Sequence, residues 1–332
     1  MRETWLTNGQ FQFRVTGTSG ERFIVNCRAP GFSKRARPRA KLVDAIWRGG
    51  DILGDMKPPR SLALLILSCL FALADDVQPP LRLRPEGAIK LKLRTRVETF
   101  KGSGMWDEVT LMKEVPVAEV AIIICDMWDK HWCEGATERC GALADKMSPV
   151  IKAARVKGIQ IIHAPSETMN FYKDTPQRRR VMLAAPVEVP KPLGLSDPAL
   201  PIDDSDGGCD SGQKPWYKAW TRENAKIDIG EFDGISDNGE EVYRFLRQLG
   251  VKYLIVMGVH TNMCVLNRSF AIRRMTRWGV HCMLARDLTD TMYNPAMRPL
   301  VSHDKGTELV IEHIEKYWCP SLLSSDLVAG LP

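Results

Sequence analysis

Two stretches of this chain are apolar on consecutive residues, not on alternate ones. Residues 117–126 read VAEVAIIICD and residues 253–259 read YLIVMGV. A strand with one wet face alternates apolar and polar side chains, whereas a strand covered on both faces shows a continuous β-branched run. The two runs therefore predict interior strands of a parallel sheet. The segments around them agree. Residues 137–157 carry apolar positions at helical spacing (Leu143, Met147, Val150, Ile151, Ala154) and stop at Gly158, the residue that most often ends a helix. Residues 159–164 predict a strand, 240–249 a helix ended by Gly250, 262–278 a helix ended by Gly279, and 280–285 another strand. Residues 227–229 are short and apolar enough for one more. Strand–helix alternation of this kind gives a three-layer α/β fold, a mostly parallel sheet with helices on both faces. Residues 185–224 are rich in Pro, Gly and Asp and show no period, which marks a long functional or mobile connection.

Charge is divided unevenly. The chain has 46 Lys and Arg against 40 Asp and Glu, but residues 1–74 hold 12 of the basic and 5 of the acidic residues. The remainder is almost neutral, which excludes a nucleic-acid partner for the main body. Residues 61–74, SLALLILSCLFALA, are uncharged and follow Met56-Lys57-Pro58-Pro59-Arg60; Ala72-Leu73-Ala74 ends the run. A basic start, a short apolar core and an A-x-A site form the layout of a secretory signal peptide. On this reading Met56 is the functional start, residues 1–55 are an over-extended N-terminus outside the fold, 56–74 is a leader cleaved near Ala74, and the protein is exported to the periplasm or medium. The run is too short for a stable membrane anchor. Residues 75–116 read as an N-terminal extension and 117–332 as the domain. Seven cysteines (125, 133, 140, 209, 264, 282, 319) follow the leader; the number is odd, so at least one is free or pairs with another chain.

The polar residues collect at strand ends, where open α/β sheets hold their ligands. Asp126 ends one strand, His163 nearly ends the next, Cys264 follows the third and Asp287 the fourth; Trp128 lies beside the first. Gly258-Val259-His260-Thr261-Asn262-Met263-Cys264-Val265 places a cysteine just after a buried strand, at the start of a helix. A helix start lowers a thiol pKa and offers N–H groups to an oxyanion. With IIICDMW at 122–128 and the strand ending in Asp287, this motif resembles the isochorismatase-like cysteine hydrolases, the superfamily of nicotinamidases and other small-amide hydrolases. The resemblance spans residues 117–327. It implies an isochorismatase-type fold, Asp126 and Cys264 as general base and nucleophile, a cis Val259–His260 peptide, and an oxyanion hole at His260 and Cys264. It also implies a catalytic lysine. Lys226, followed by Phe232, fits the local pattern; ungapped counting back from Gly250 reaches Glu231, and Lys218 is a further candidate.

Asp129-x-His131 with His163 is the set a divalent metal would use, although a catalytic zinc wants three ligands in one place. No glycine-rich phosphate loop is present, so no nucleotide cofactor is expected. The DLTDTMYNP segment (287–295) reads as a hydrogen-bonded loop, and Arg178-Arg179-Arg180 as a solvated face. The expectation is an exported hydrolase of a small amide or imide C–N bond, acting on a small molecule and compatible with a homo-oligomer, with His163, Trp128 and Asp287 lining the cleft. The alternatives are a non-catalytic binding protein of the same fold and a vinyl ether hydrolase that needs the aspartate alone.

Overall fold

The structure is a computed structural model. It describes residues 80–83, 85–214 and 217–332, together with three strands near the start: β1 (Thr4–Thr7), β2 (Gln10–Thr16) and β3 (Arg22–Arg28). Those three pair antiparallel in the order β1-β2-β3 and fall in a separate unit, Met1–Asp75. The sequence signal for them is the strict alternation of QFQFRVT, which a search for long periods passes over. The expected leader, 56–74, lies outside the described residues. No helix among the described residues is long and apolar enough to cross a membrane.

The second unit, Asp76–Pro332, is built on one eight-stranded sheet. Its strands are β4 (Ala88–Glu98), β5 (Trp106–Pro116), β6 (Val120–Cys125), β7 (Gln160–Ala164), β8 (Gly234–Ile235), β9 (Tyr253–Val259), β10 (His281–Asp290) and β11 (Ser321–Leu322). The order is β5-β4-β11-β10-β9-β6-β7-β8, parallel from β11 through β8, with β4 and β5 antiparallel at one edge. The hairpin at 88–116, set apart by its sequence as an extension, is thus part of the sheet: Arg94 pairs with Ser321, and Ile89, Leu91 and Leu93 are buried. Its exposed outer strand, charged and polar at 107, 108, 110, 113 and 114, conceals that membership.

Helices cover both faces. Successive residues of β6 alternate between two cores. Ala121, Ile123 and Cys125 pack with side chains of α4 (Gly239–Leu249), α5 (Cys264–Asn267), α6 (Ile272–Arg277) and α7 (His303–Tyr317). Ile122 and Ile124 pack with α1 (Glu134–Val156) and Leu327 of α8 (Ser324–Gly330). Because every β6 residue is buried, both faces of the strand contribute, at roughly 1.5–3 kcal/mol per large aliphatic side chain. This is the physical origin of the unbroken apolar run. Two short helices, α2 (Met169–Tyr172) and α3 (Pro176–Met182), follow β7.

Three local expectations are corrected. Residues 227–229 are not a strand; the sheet edge is Gly234–Ile235, where a Cβ on Gly234 would meet Val181 and Phe245 within 3 Å. The helix expected over 262–278 breaks into α5 and α6. At the break Arg268 turns extended (ψ 151), and Ser269 Oγ accepts the N–H of Gly239, which starts α4. The arginine run is not a solvated face: Arg178 is ion-paired to Glu241, and Arg180, 1% exposed, donates to the carbonyls of Asp233 and Pro80.

Candidate active site

Asp126 follows β6 in the left-handed region (φ 47), a conformation that Asp tolerates better than most residues. This turns its carboxyl away from the sheet toward the start of α5. It is fully buried and has three partners. Oδ1 accepts the Ser166 N–H at 2.7 Å, Oδ2 accepts Arg268 Nε at 2.9 Å, and the Cys264 thiol is set against the same carboxyl group. Burial raises the Asp126 pKa from its ordinary value, with Arg268 opposing. Burial and then the neighbouring Asp126 charge push the Cys264 thiol well up. That reverses the expected lowering. α5 is only four residues long, and a single turn brings little of the field of a full helix. Burial therefore keeps the resting Cys264 as the neutral thiol.

The turn that presents Cys264 is rigidly held. Gly258 has φ 119, and a Cβ there would lie 2.0 Å from the Cys125 carbonyl oxygen, so β9 approaches β6 as closely as it does only with glycine. The Val259–His260 peptide is cis, as the resemblance implies. The N–H groups of Thr261, Met263 and Val265 are taken by the carbonyls of Asp290, His260 and His260. The His260 N–H points at the Cys264 sulfur. Asn262 fastens the turn outward: its Nδ2 donates to Asp204 Oδ2 at 2.7 Å and to the Met292 carbonyl at 3.0 Å.

Cys264 opens into a cleft of about 540 Å³ walled by Trp128, Trp132, Trp220, His131, His260 and Met292, a volume within the ordinary range for small-molecule sites. Trp128 and Trp220 stack with ring centroids 4.2 Å apart, His131 stacks on Trp220, and His260 meets His131 edge-on. Burial lowers the pKa of His131 to about 3 and of His260 to about 4, so both rings are neutral at pH 7. Nε2 of His260 is buried without a partner in the protein. Glu167, Asp206, Lys214 and Arg268 add charge around the cleft.

Trp220 is carried by the long connection, which is tied down by short antiparallel pairing: Asn224 N–H to the Met127 carbonyl and Asp129 N–H to the Arg222 carbonyl. His163 supplies the deeper anchor. It is fully buried, with Nδ1 2.7 Å from Glu223 and Nε2 3.0 Å from Asp233. Burial opposes its charge, but the two carboxylates outweigh it and raise its pKa to about 9.

Several expected site residues are placed elsewhere. His163 does not line the cleft; it is the centre of that ion triad. Asp287 caps α8, accepting from the Ser324 N–H and hydroxyl at 2.8 and 2.6 Å. Lys226 pairs with Asp145 of α1 at 2.6 Å and reaches the Gly141 carbonyl; Lys218 donates to the Glu167 carbonyl. The cation beside Asp126 is Arg268. Its sequence signal, a basic residue one helical turn after Cys264, is weak because the segment reads as continuous helix. The three residues weighed as metal ligands are dispersed as well. Asp129 takes the Thr221 N–H and hydroxyl, His131 Nδ1 takes the Cys133 N–H, and His163 lies between its carboxylates. No group of three or more such ligands forms among the described residues. Trp220, Trp132 and Met292 carry no motif and were not foreseen as walls of the cleft.

No family model and no curated protein matches the chain. Among solved structures it is similar to a cysteine hydrolase from Pseudomonas syringae pv. phaseolicola, at 16% identity over 65% of this chain and 94% of that one, TM-score 0.43. It is similar also to an isochorismatase from Pseudomonas putida (15% identity, 64% of this chain, 91% of that one, TM-score 0.39). A third similarity is to an isochorismatase family protein from Burkholderia thailandensis (14% identity, 64% and 96%, TM-score 0.38).

Proposed function

We propose that the protein is an exported cysteine hydrolase that cleaves the C–N bond of a small amide or imide. The observation that carries this reading is the Cys264 thiol lining the aromatic cleft and set against the buried Asp126 carboxyl group. Export rests on the layout of residues 56–74 alone. Cys264 attacks the substrate carbonyl as its proton passes to Asp126; the raised pKa of that carboxylate makes it a better base. The backbone N–H groups at His260 and Cys264 receive the oxyanion. Asp126 returns the proton to the departing nitrogen, which leaves as ammonia or an amine. Water then attacks the thioester with Asp126 again as base, releasing the acid and restoring the thiol. Arg268 stays protonated throughout and holds Asp126 in place. The stacked tryptophans suit a planar acyl group.

A non-catalytic binding role is favoured by one observation, the removal of Lys226 to the surface beside Asp145. Ammonia release from a panel of small planar and aliphatic amides distinguishes the two. Turnover that disappears in Cys264→Ala supports hydrolysis. Saturable binding of those amides with no ammonia from the wild type refutes it.

A further inference from the structure

Two other cysteines lie against the wall of the cleft and take no part in the chemistry above. Cys133 immediately precedes α1 and is buried; Cys209 lies in the 204–213 turn of the long connection. They share a hydroxyl partner. Ser211 Oγ is 3.2 Å from Cys133 Sγ and 3.6 Å from Cys209 Sγ. The two thiols lie near enough for each to shift the other's pKa. Both pack in one apolar cluster with Trp128, Trp132 and Trp220.

The turn that carries Cys209 shapes the site. Asp206 and Gly207 line the cleft, Asp204 holds Asn262 of the cysteine turn, and Asp210 accepts from Arg139 of α1 at 2.7 Å. Gly208 lies so close to the Met292 backbone that a Cβ would stand 2.3 Å from its carbonyl oxygen. The turn is thus already seated where a covalent link to the start of α1 would hold it.

We infer that Cys133 and Cys209 form a disulfide that staples the 204–213 turn to the start of α1 and fixes this wall of the cleft. Burial and then the Cys209 contact raise the Cys133 pKa. At Cys209 burial is outweighed by hydrogen bonds from Cys133 and Ser211, which lower it. Cys209 is accordingly the first thiolate to react. Its sulfur attacks a small-molecule disulfide such as glutathione disulfide and expels one glutathione thiolate. Cys133 then loses its proton to solvent, attacks the Cys209 sulfur of the mixed disulfide and expels the second. Two protein thiols are oxidised and one glutathione disulfide is reduced to two glutathiones. The link is independent of what the cleft hydrolyses.

The test uses the full chain equilibrated in glutathione buffers from reducing to oxidising, quenched in acid, alkylated and digested without reduction. The expected result is a Cys133–Cys209 linked peptide that appears as the buffer becomes oxidising and is lost on adding reductant. Tryptic cleavage after Lys218 should slow in the oxidised form. Cys133→Ser should leave Cys209 carrying glutathione, and Cys209→Ser should leave no adduct at Cys133, each with unchanged circular dichroism. Recovery of both cysteines as alkylated thiols from folded protein in every buffer would overturn the inference. So would a linked peptide joining either cysteine to a different partner.

Discussion

His163 lies between Glu223 and Asp233, which bracket the segment carrying Lys226 to Phe232 and follow closely on Trp220. Its imidazolium therefore fastens the long connection to the sheet, and its loss should be felt in stability before anything else. The folded-state pKa is about 9 against an ordinary 6.5. At 1.36 kcal/mol per pKa unit the proton contributes about 3 kcal/mol. The sign follows from the direction. A raised pKa gives a contribution present in full below pH 6.5, lost as pH rises, and gone above about 9. His163→Gln removes the charge and leaves Glu223 and Asp233 buried, with only Asp233 still paired to Arg155. Urea unfolding of both proteins from pH 6 to pH 10 measures the effect. The variant should be less stable by about 3 kcal/mol at pH 6, with the gap closing as the wild type is titrated through pH 9. Comparing the two removes the contribution of other groups that titrate in the same range, such as His303, whose pKa is also raised. A gap that is constant from pH 6 to pH 10 would refute the reasoning.

Further outcomes follow from the same geometry. Arg268→Ala should lower kcat and move the acid limb of the pH–rate profile upward, because Asp126 loses the charge that opposes its raised pKa; Arg268→Lys should restore part of both. Lys226→Ala should leave kcat/KM unchanged, since an exposed pair with Asp145 is worth little and lies away from the cleft. Asp287→Ala should cost about 1 kcal/mol in chemical denaturation through the lost cap of α8, again with unchanged kcat/KM.

The layers of this fold were legible where burial is two-sided. Val120–Cys125 and Tyr253–Val259 had to be apolar on consecutive residues, and that pattern has few other readings. Gly250 at φ 72 ended α4 where the sequence placed its stop. Asp126 and Cys264 were legible because both stand at strand ends, one beside each buried run. What escaped were features made by distant packing. The break between α5 and α6 depends on Ser269 meeting Gly239, which no local pattern reports. Arg268 became the partner of Asp126 only because that break turns the chain. His163 read as a cleft residue from its place in β7, but β7 delivers it to carboxylates at 223 and 233 that sequence separation hides. The walls of the cleft come from a connection without any period, fixed by stacking and by single backbone bonds.

The central claim is that Cys264 forms a covalent acyl intermediate with Asp126 as its base. The most direct test is acid-quenched turnover of the full chain with an amide it hydrolyses, read by mass spectrometry of the peptide containing Cys264. The account predicts an acyl thioester on Cys264 of the wild-type protein that is lost on treatment with hydroxylamine and does not form in Asp126→Asn. Hydrolysis that persists in Cys264→Ala, with no adduct on the wild-type peptide, would contradict it.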